Sequence, residues 1–249
     1  MVSSTEPPIS SRFFRHDVRP EWLTAEREEV LAHLRTDRRA VHVGYTDAPF
    51  AVTKIAPNSL LHARIAAVAT EIFGVDIDQP GIEKLGAIVP GRCIRADVPD
   101  PEVAHDAQAS GPDLIFASHV VEYIDNQVRG LAGLGTIAGR TDATIVVSGP
   151  NTFATRNDIQ SWFNMEVMHR DQRRVFSSIT LETAARAAGP ETVSRKGYRI
   201  AQGGSLSWRV LDRMSRAMAR RGPLTADGPL FELVCAKLTR SAYLSVLAA

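Results

Sequence analysis

The sequence predicts an α/β protein built on a doubly wound, mostly parallel seven-stranded sheet with helices on both faces. Short apolar runs alternate five times with helix-like patterns, the order of a parallel sheet whose crossovers are helical. Runs such as those closing at Gly44, Asp76, Ser118 and Ser148 end in the small or polar residues found where ligands sit beyond the carboxyl ends of parallel strands. The 249 residues, 44% of them hydrophobic, suffice for a packed core.

Element by element, residues 1–11 are polar with two prolines and have no apolar export core. A helix is expected over 21–35, with Trp22, Val30, Leu31 and Leu34 on related faces. Residues 40–44 form the first strand, and an alanine-rich helix follows over 59–69 with Ser59 as its cap. Strands are expected at 72–76, 92–95, 113–118 and 143–148, separated by helical patterns at 80–85 and 126–137. Asp97-Val98-Pro99-Asp100-Pro101, acidic and proline-rich, reads as a turn. Beyond Pro150 the pattern breaks, and 152–178 is too long for a simple connection, which suits a lid or substrate-binding insert. A helix over 180–188 stops at Gly189-Pro190, and late strands at 193–200 and 230–237 flank a helix at 205–220. With no repeat and no linker, 1–249 reads as a single domain.

Charge excludes several classes of partner. With 29 basic against 28 acidic residues and a net charge of +1, nothing calls for nucleic acid or an anionic membrane. The cluster from Arg213 to Arg221 fits the solvated face of an amphipathic helix better than a binding patch. Cys93 and Cys235 have no paired spacing, so neither zinc nor a disulfide framework is supported, and a reducing cytoplasm is expected. No run approaches the ~20 apolar residues that span a bilayer. A small-molecule substrate remains, with a homodimer allowed.

Asp76 is the first residue that points to chemistry. In Phe73-Gly74-Val75-Asp76-Ile77-Asp78 an apolar run ends in a carboxylate, and an acid at the end of a second strand can accept two hydrogen bonds from the hydroxyls of a cofactor ribose. The alternative is that Asp76 and Asp78 only cap the next helix.

In order and type the strand ends resemble the class I S-adenosylmethionine (SAM)-dependent methyltransferases, over about 41–189 with 230–238 as the terminal strand. The matching pieces are His42-Val43-Gly44-Tyr45-Thr46, Gly74-Val75-Asp76-Ile77-Asp78, the stretch from Asp113 to Glu122, and Ile145-Val146-Val147-Ser148-Gly149-Pro150-Asn151. Within the class the chain looks most like the small-molecule and sugar-modifying branch, on His169 and Phe176 to Leu181. The resemblance implies SAM as cofactor. It places Gly44 against the methionine part with Tyr45 and Thr46 lining that pocket, Asp76 on the ribose, Ile77 on the adenine face, Asp97 with Val98 at the adenine edge, and Ser118 and His119 closing the site. His62 would reach the cofactor carboxylate. The chain departs from the pattern in having Gly44 alone where a Gly-x-Gly-x-Gly loop is typical, and Glu122-Tyr123 where many relatives read Glu-His.

Methyl transfer asks mainly for alignment, because the sulfonium already activates the carbon. A hydroxyl acceptor is helped by a base, and histidine is best poised near neutral pH. His119 and His169 are the candidates, His119 with cofactor contact as its other role and His169 with simple packing among Trp162, Phe163 and Met168. His42 reads as a core residue, and no converging acids argue for a metal. Trp162, Phe163, Met165 and Met168 would wall an apolar acceptor pocket or form a core beneath the insert. The expected activity is O-methylation of a sugar or secondary metabolite. A non-methylating rearrangement enzyme or a cofactor-free binding protein on the same fold are the alternatives, and a dehydrogenase is disfavoured because Gly-x-Gly-x-x-Gly is absent after Gly44.

Overall fold

Side chains two apart along a strand share a face, and here that alternation splits the apolar residues between two helical layers. In the computed structural model, which describes residues 22–26, 37–48, 60–89, 91–98, 100–139, 143–152, 155–166, 168–199, 210 and 230–236, the central strands are β2 (Arg39–Val43), β3 (Glu71–Asp76), β4 (Arg92–Arg95), β5 (Leu114–Ser118) and β6 (Thr144–Pro150). Val41, Val43, Phe73, Val75, Ile115, Ala117, Ile145 and Val147 face one way, into a cluster with Leu131, Leu134, Ile137, Leu181 and Ala185. Ala40, Ile72, Leu114, Phe116 and Val146 face the other way, onto Leu61 and Ile65. A strand buried on both faces reads as a continuous apolar run, which is why β2, β3, β5 and β6 are legible.

The helices are α1 (Leu61–Ala66), α2 (Gln79–Gly86), α3 (Pro101–Ala109), α4 (Gln127–Ala138), α5 (Thr155–Trp162) and α6 (Ser178–Ala188). Helices α3 and α6 both pack against α4 on the first face, and α1 covers the second. Asn126 caps α4 by accepting the Arg129 N–H, and Ser177 and Thr180 form a reciprocal capping box at the start of α6. A Cβ on Gly133 of α4 would run into the Val98 carbonyl oxygen, so the helix lies directly against the backbone of the loop after β4. Gly133→Ala should therefore lower stability by about 1–3 kcal/mol in urea unfolding, because the backbone clash outweighs the ~1 kcal/mol gain in helix propensity.

The sheet runs β1-β7-β8-β6-β5-β2-β3-β4, where β1 is Trp22–Glu26, β7 is Glu191–Arg199 and β8 is Leu230–Ala236. The five central strands are parallel, and β8 is antiparallel to both β6 and β7. Among the described residues the sheet has eight strands where seven were expected, because 22–26, expected within a helix over 21–35, pairs instead with the outer edge of β7, Trp22 opposite Gly197. An available sheet edge overrides weak local helical spacing. Helix α3 was not foreseen: the prolines that suggested a turn include Pro101, its first residue, a position where proline's missing N–H is harmless. At α1 the cap position is Leu60, with no side-chain cap bond; Ser59 lies outside the described residues, as does the expected helix at 205–220 apart from Val210. Among the described residues no helix is long and apolar enough to cross a membrane.

Candidate functional site

Strand order reverses direction between β2 and β5, and the loops leaving that switch point part to form a crevice, the place where open α/β sheets bind ligands. A cleft of about 730 Å³ opens there. Its floor comes from the carboxyl ends of β2, β3 and β4 through Gly44, Asp76, Ile77, Asp97 and Val98, and its opposite wall from Val120, Tyr123, Asp125 and Arg129. Arg173 reaches in from the segment between α5 and α6 and pairs with Asp125 at 3.3 Å.

Asp76 ties this floor together. Its Oδ2 accepts the Thr46 N–H at 2.9 Å and its Oδ1 the Asp78 N–H at 3.0 Å, so one carboxylate holds the loop after β2 and the approach to α2. Each oxygen keeps a lone pair, and the group lines the cleft at 8% exposure. Beside it Ile77 is 66% exposed, an isoleucine left uncovered at a cleft wall. The Ala96 N–H to the Asp76 carbonyl at 2.7 Å joins the end of β4 to the same floor, where Ala96 and Val98 line the cleft together with Ile77. Gly44 has φ +70, and a Cβ there would run into Val120 Cγ2, so the only glycine of this loop is required both by its left-handed backbone and by the close approach of β5's following residues.

Gly44, Asp76, Ile77, Asp97 and Val98 thus meet at the cleft, while Tyr45, Thr46, His62, Ser118, His119 and His169 do not line it. Thr46 is buried, and its side chain lies where a Cβ on Gly81 would be 2.8 Å away. Tyr45 and His62 turn to the other face of the sheet. Tyr45 packs over Gly74, where a Cβ would come within 2.8 Å of its ring, and clusters with Leu60, Leu85 and Val89. His62 stacks on His42 with Nδ1 atoms 3.2 Å apart and lies 4.5 Å from the Tyr45 ring. Burial holds the Tyr45 phenol protonated, with the Cys93 thiol adding to the effect.

Burial pulls the His62 imidazole down to about 4 from 6.5. The unfolded chain takes up this proton below pH 6.5 and the folded one does not, so the stability this gives is complete above pH 6.5 and is lost as pH falls to about 4. The loss is about 3 kcal/mol. Urea unfolding at pH 7.5 and 4.5 should show this drop in the wild type and a clearly smaller one in His62→Phe.

Ser118 and Ser148, opposite one another on β5 and β6, share a hydroxyl hydrogen bond of 2.9 Å. His119 follows in a left-handed turn at φ 57, its N–H on the Ser148 carbonyl, and its ring comes back over Glu122. His169 meets the cleft indirectly, edge-on to Tyr123 with centroids 5.6 Å apart. Tyr123 itself is pushed up to about 12, first by burial and then by Glu122, Asp47 and Asp171, so its hydroxyl stays a hydrogen-bond donor. Trp162, Phe163, Met165 and Met168 are 69, 66, 52 and 42% exposed and build no core beneath the insert. The wall residues Tyr123, Asp125, Arg129 and Arg173 were missed in the sequence; the run Tyr123-Ile124-Asp125-Asn126, just before a capped helix that follows β5, was the available signal. Among the described residues no three His, Cys, Asp or Glu converge as metal ligands.

No family model matches the chain, and no curated protein matches it. Solved structures do. A SAM-dependent methyltransferase from Archaeoglobus fulgidus superposes with a TM-score of 0.51 at 14% identity, covering 84% of this chain and 94% of its own. One from Thermotoga maritima gives 0.52 at 12% identity, covering 85% and 87%. The YcgJ protein of Bacillus subtilis gives 0.51 at 10% identity, covering 85% and 98%. At such identities the likeness is one of architecture, and by architecture the chain has the Rossmann-like fold of the class I SAM-dependent methyltransferases.

Proposed function

We propose that this chain transfers the methyl group of SAM to a small-molecule acceptor, a hydroxyl of a sugar or secondary metabolite, in the cytoplasm. The observation that carries the reading is the pairing of Asp76 and Ile77 at the switch-point cleft: a nearly buried carboxylate with lone pairs left over, beside an uncovered apolar side chain. That pair suits a ribose diol joined to a flat base. The adenosine half of SAM fits the donor set of this floor. Asp76 would hold the ribose, Ile77 and Val98 would flank the adenine, Asp97 would accept from its amino group, and the Gly44 backbone would approach the methionine part.

When bound, SAM supplies a methyl carbon already activated for displacement. This chain's residues align the acceptor, exclude water and take up its proton. Acceptor binding falls to the wall opposite the floor, where the Tyr123 hydroxyl donates and Arg129 and Arg173 offer positive charge, with residues 152–178 as the cover. Methyl incorporation from labelled SAM into hydroxyl and amine panels separates O- from N-transfer.

Val120 pressed on Gly44, in a loop with no second glycine, favours one other reading: a rearrangement catalyst on this fold that consumes no methyl donor. Stoichiometric S-adenosylhomocysteine (SAH) in the product mixture excludes it.

Calorimetric titration with SAM and SAH tests the main reading. Binding of both is expected, weakened about ten- to a hundredfold in Ile77→Asp, since covering an isoleucine contributes roughly 1.5–3 kcal/mol. Ile77 is exposed, so the variant should fold normally. Absence of binding by the wild type refutes the reading.

A further inference from the structure

The segment between α5 and α6 holds its largest apolar side chains out in solvent on a backbone that is tied down at both ends. At its start the Met165 N–H reaches back to the Gln160 carbonyl and the Asn164 N–H to that of Ser161, each at 3.0 Å, with Asn164 in the left-handed region at φ 53. This is the pairing of a Schellman turn, which closes a helix and accepts asparagine at the left-handed position. At its end the Glu122 carbonyl accepts the N–H groups of Arg173 and Arg174 at 2.8 and 3.2 Å, which fastens the segment to the turn after β5. Trp162, Phe163, Met165 and Met168 are thus exposed on a fixed support and not on a frayed helix end.

This apolar platform adjoins the cleft. His169, the residue after Met168, sets its ring edge-on to the wall residue Tyr123, and Arg173 lines the cleft itself. Pockets for drug-sized ligands measure about 300–1,000 Å³, so SAM alone takes up much of a cleft of about 730 Å³. The bulk of an acceptor then lies past the wall, where the platform begins.

We propose that the acceptor is an amphiphile: a hydroxyl-bearing head that enters the cleft at Tyr123, joined to an extended apolar body that lies on Trp162, Phe163, Met165 and Met168. The proposal rests on the methyl-transfer reading and deepens it by naming the acceptor's class. Aromatic rings offer such a body broad flat faces, and thioethers adapt to its shape. Other occupants fit less well. With whole aromatic side chains covering about 150–250 Å², the four expose roughly 400–500 Å², about half of the ~800 Å² that each partner gives to a stable interface. The carboxylates of Glu166 and Asp171 are exposed in the same segment, where an anionic bilayer would repel them.

Calorimetric titration in saturating SAH with n-alkyl β-glucosides and n-alkanols of four to eight carbons, each below its aggregation concentration, reads the apolar body directly. A methylene wholly removed from water strengthens binding about fourfold, and one half covered on an open face about twofold. Over four added methylenes the wild type should gain about fifteenfold. The double variant Trp162→Ser with Phe163→Ser should lose most of that gain and keep wild-type SAH affinity; both side chains are exposed, so it should fold normally. A flat wild-type response in both series, or a gain that the variant retains, overturns the proposal, and normal SAH binding beside it leaves the methyl-transfer reading standing. Sedimentation showing a dimer that the variant dissociates overturns it in favour of a second copy on the platform. Flotation with phosphatidylglycerol vesicles that the variant loses overturns it in favour of a bilayer. A wild type that binds neither SAM nor SAH refutes methyl transfer, and the acceptor role with it, whatever the two series show.

Discussion

Asp76→Ala is expected to weaken SAM and SAH binding by about 100-fold. Two hydrogen bonds from ribose hydroxyls to a carboxylate contribute on the order of 3 kcal/mol together, the surplus over what water would supply. The same substitution frees the N–H groups of Thr46 and Asp78, which now bond to the two oxygens of Asp76, so a loss of stability accompanies it. The two effects separate by measuring calorimetric affinity at a temperature where circular dichroism shows the variant folded, next to Ile77→Asp, which leaves the Asp76 knot untouched. An Asp76→Ala protein that is folded and binds SAM with wild-type affinity would remove Asp76 from the site.

Phe116→Ala should be the most damaging of the apolar truncations, lowering stability by roughly 3–5 kcal/mol in urea unfolding. Phe116 is fully buried in the middle of β5, between β2 and β6, and packs with Ile65 and Val146 on the α1 face. The edge of its ring meets His42 at 5.8 Å, so the truncation also loosens the stacked His42–His62 pair. Domains of this kind are stable by only about 5–15 kcal/mol, and such a loss is a large share of the total. The cleft opens at the carboxyl ends of the strands and Phe116 does not line it, so SAH binding by the fraction that remains folded should change little.

Strands β2, β3, β5 and β6 could be read because they are buried on both faces. Phe73 to Asp76 shows an apolar run with its acid at the carboxyl end, and in the structure that acid ends β3 and lines the cleft. Tyr45 could not be read in the same way. Only the register of β2 against β3, with His42 opposite Gly74, shows that the residue after Gly44 folds back over Gly74 and away from the cleft. His42 and His62, 20 residues apart, meet because α1 crosses the face of the sheet that carries His42. The His119–Glu122 contact was hidden by conformation, for no sequence pattern announces that a histidine at the end of a strand takes a left-handed turn. Helix α3 was obscured because proline signals a turn and the first residue of a helix alike.

The loop after β2 remains the chain's clearest departure from a glycine-rich cofactor turn. One glycine, closed by Val120, does the work usually spread over several, and the Thr46 N–H is spent on Asp76. With SAM bound as proposed, the adenosine side of the cleft would carry most of the recognition, and the methionine side would be left to the Gly44 backbone and the end of β5.

The most direct measurement is a crystal structure of the protein with SAH. The ribose hydroxyls are expected on the Asp76 carboxylate and the adenine between Ile77 and Val98. SAH seated elsewhere, or a cleft that stays free of it at saturating concentration, would contradict the proposed function.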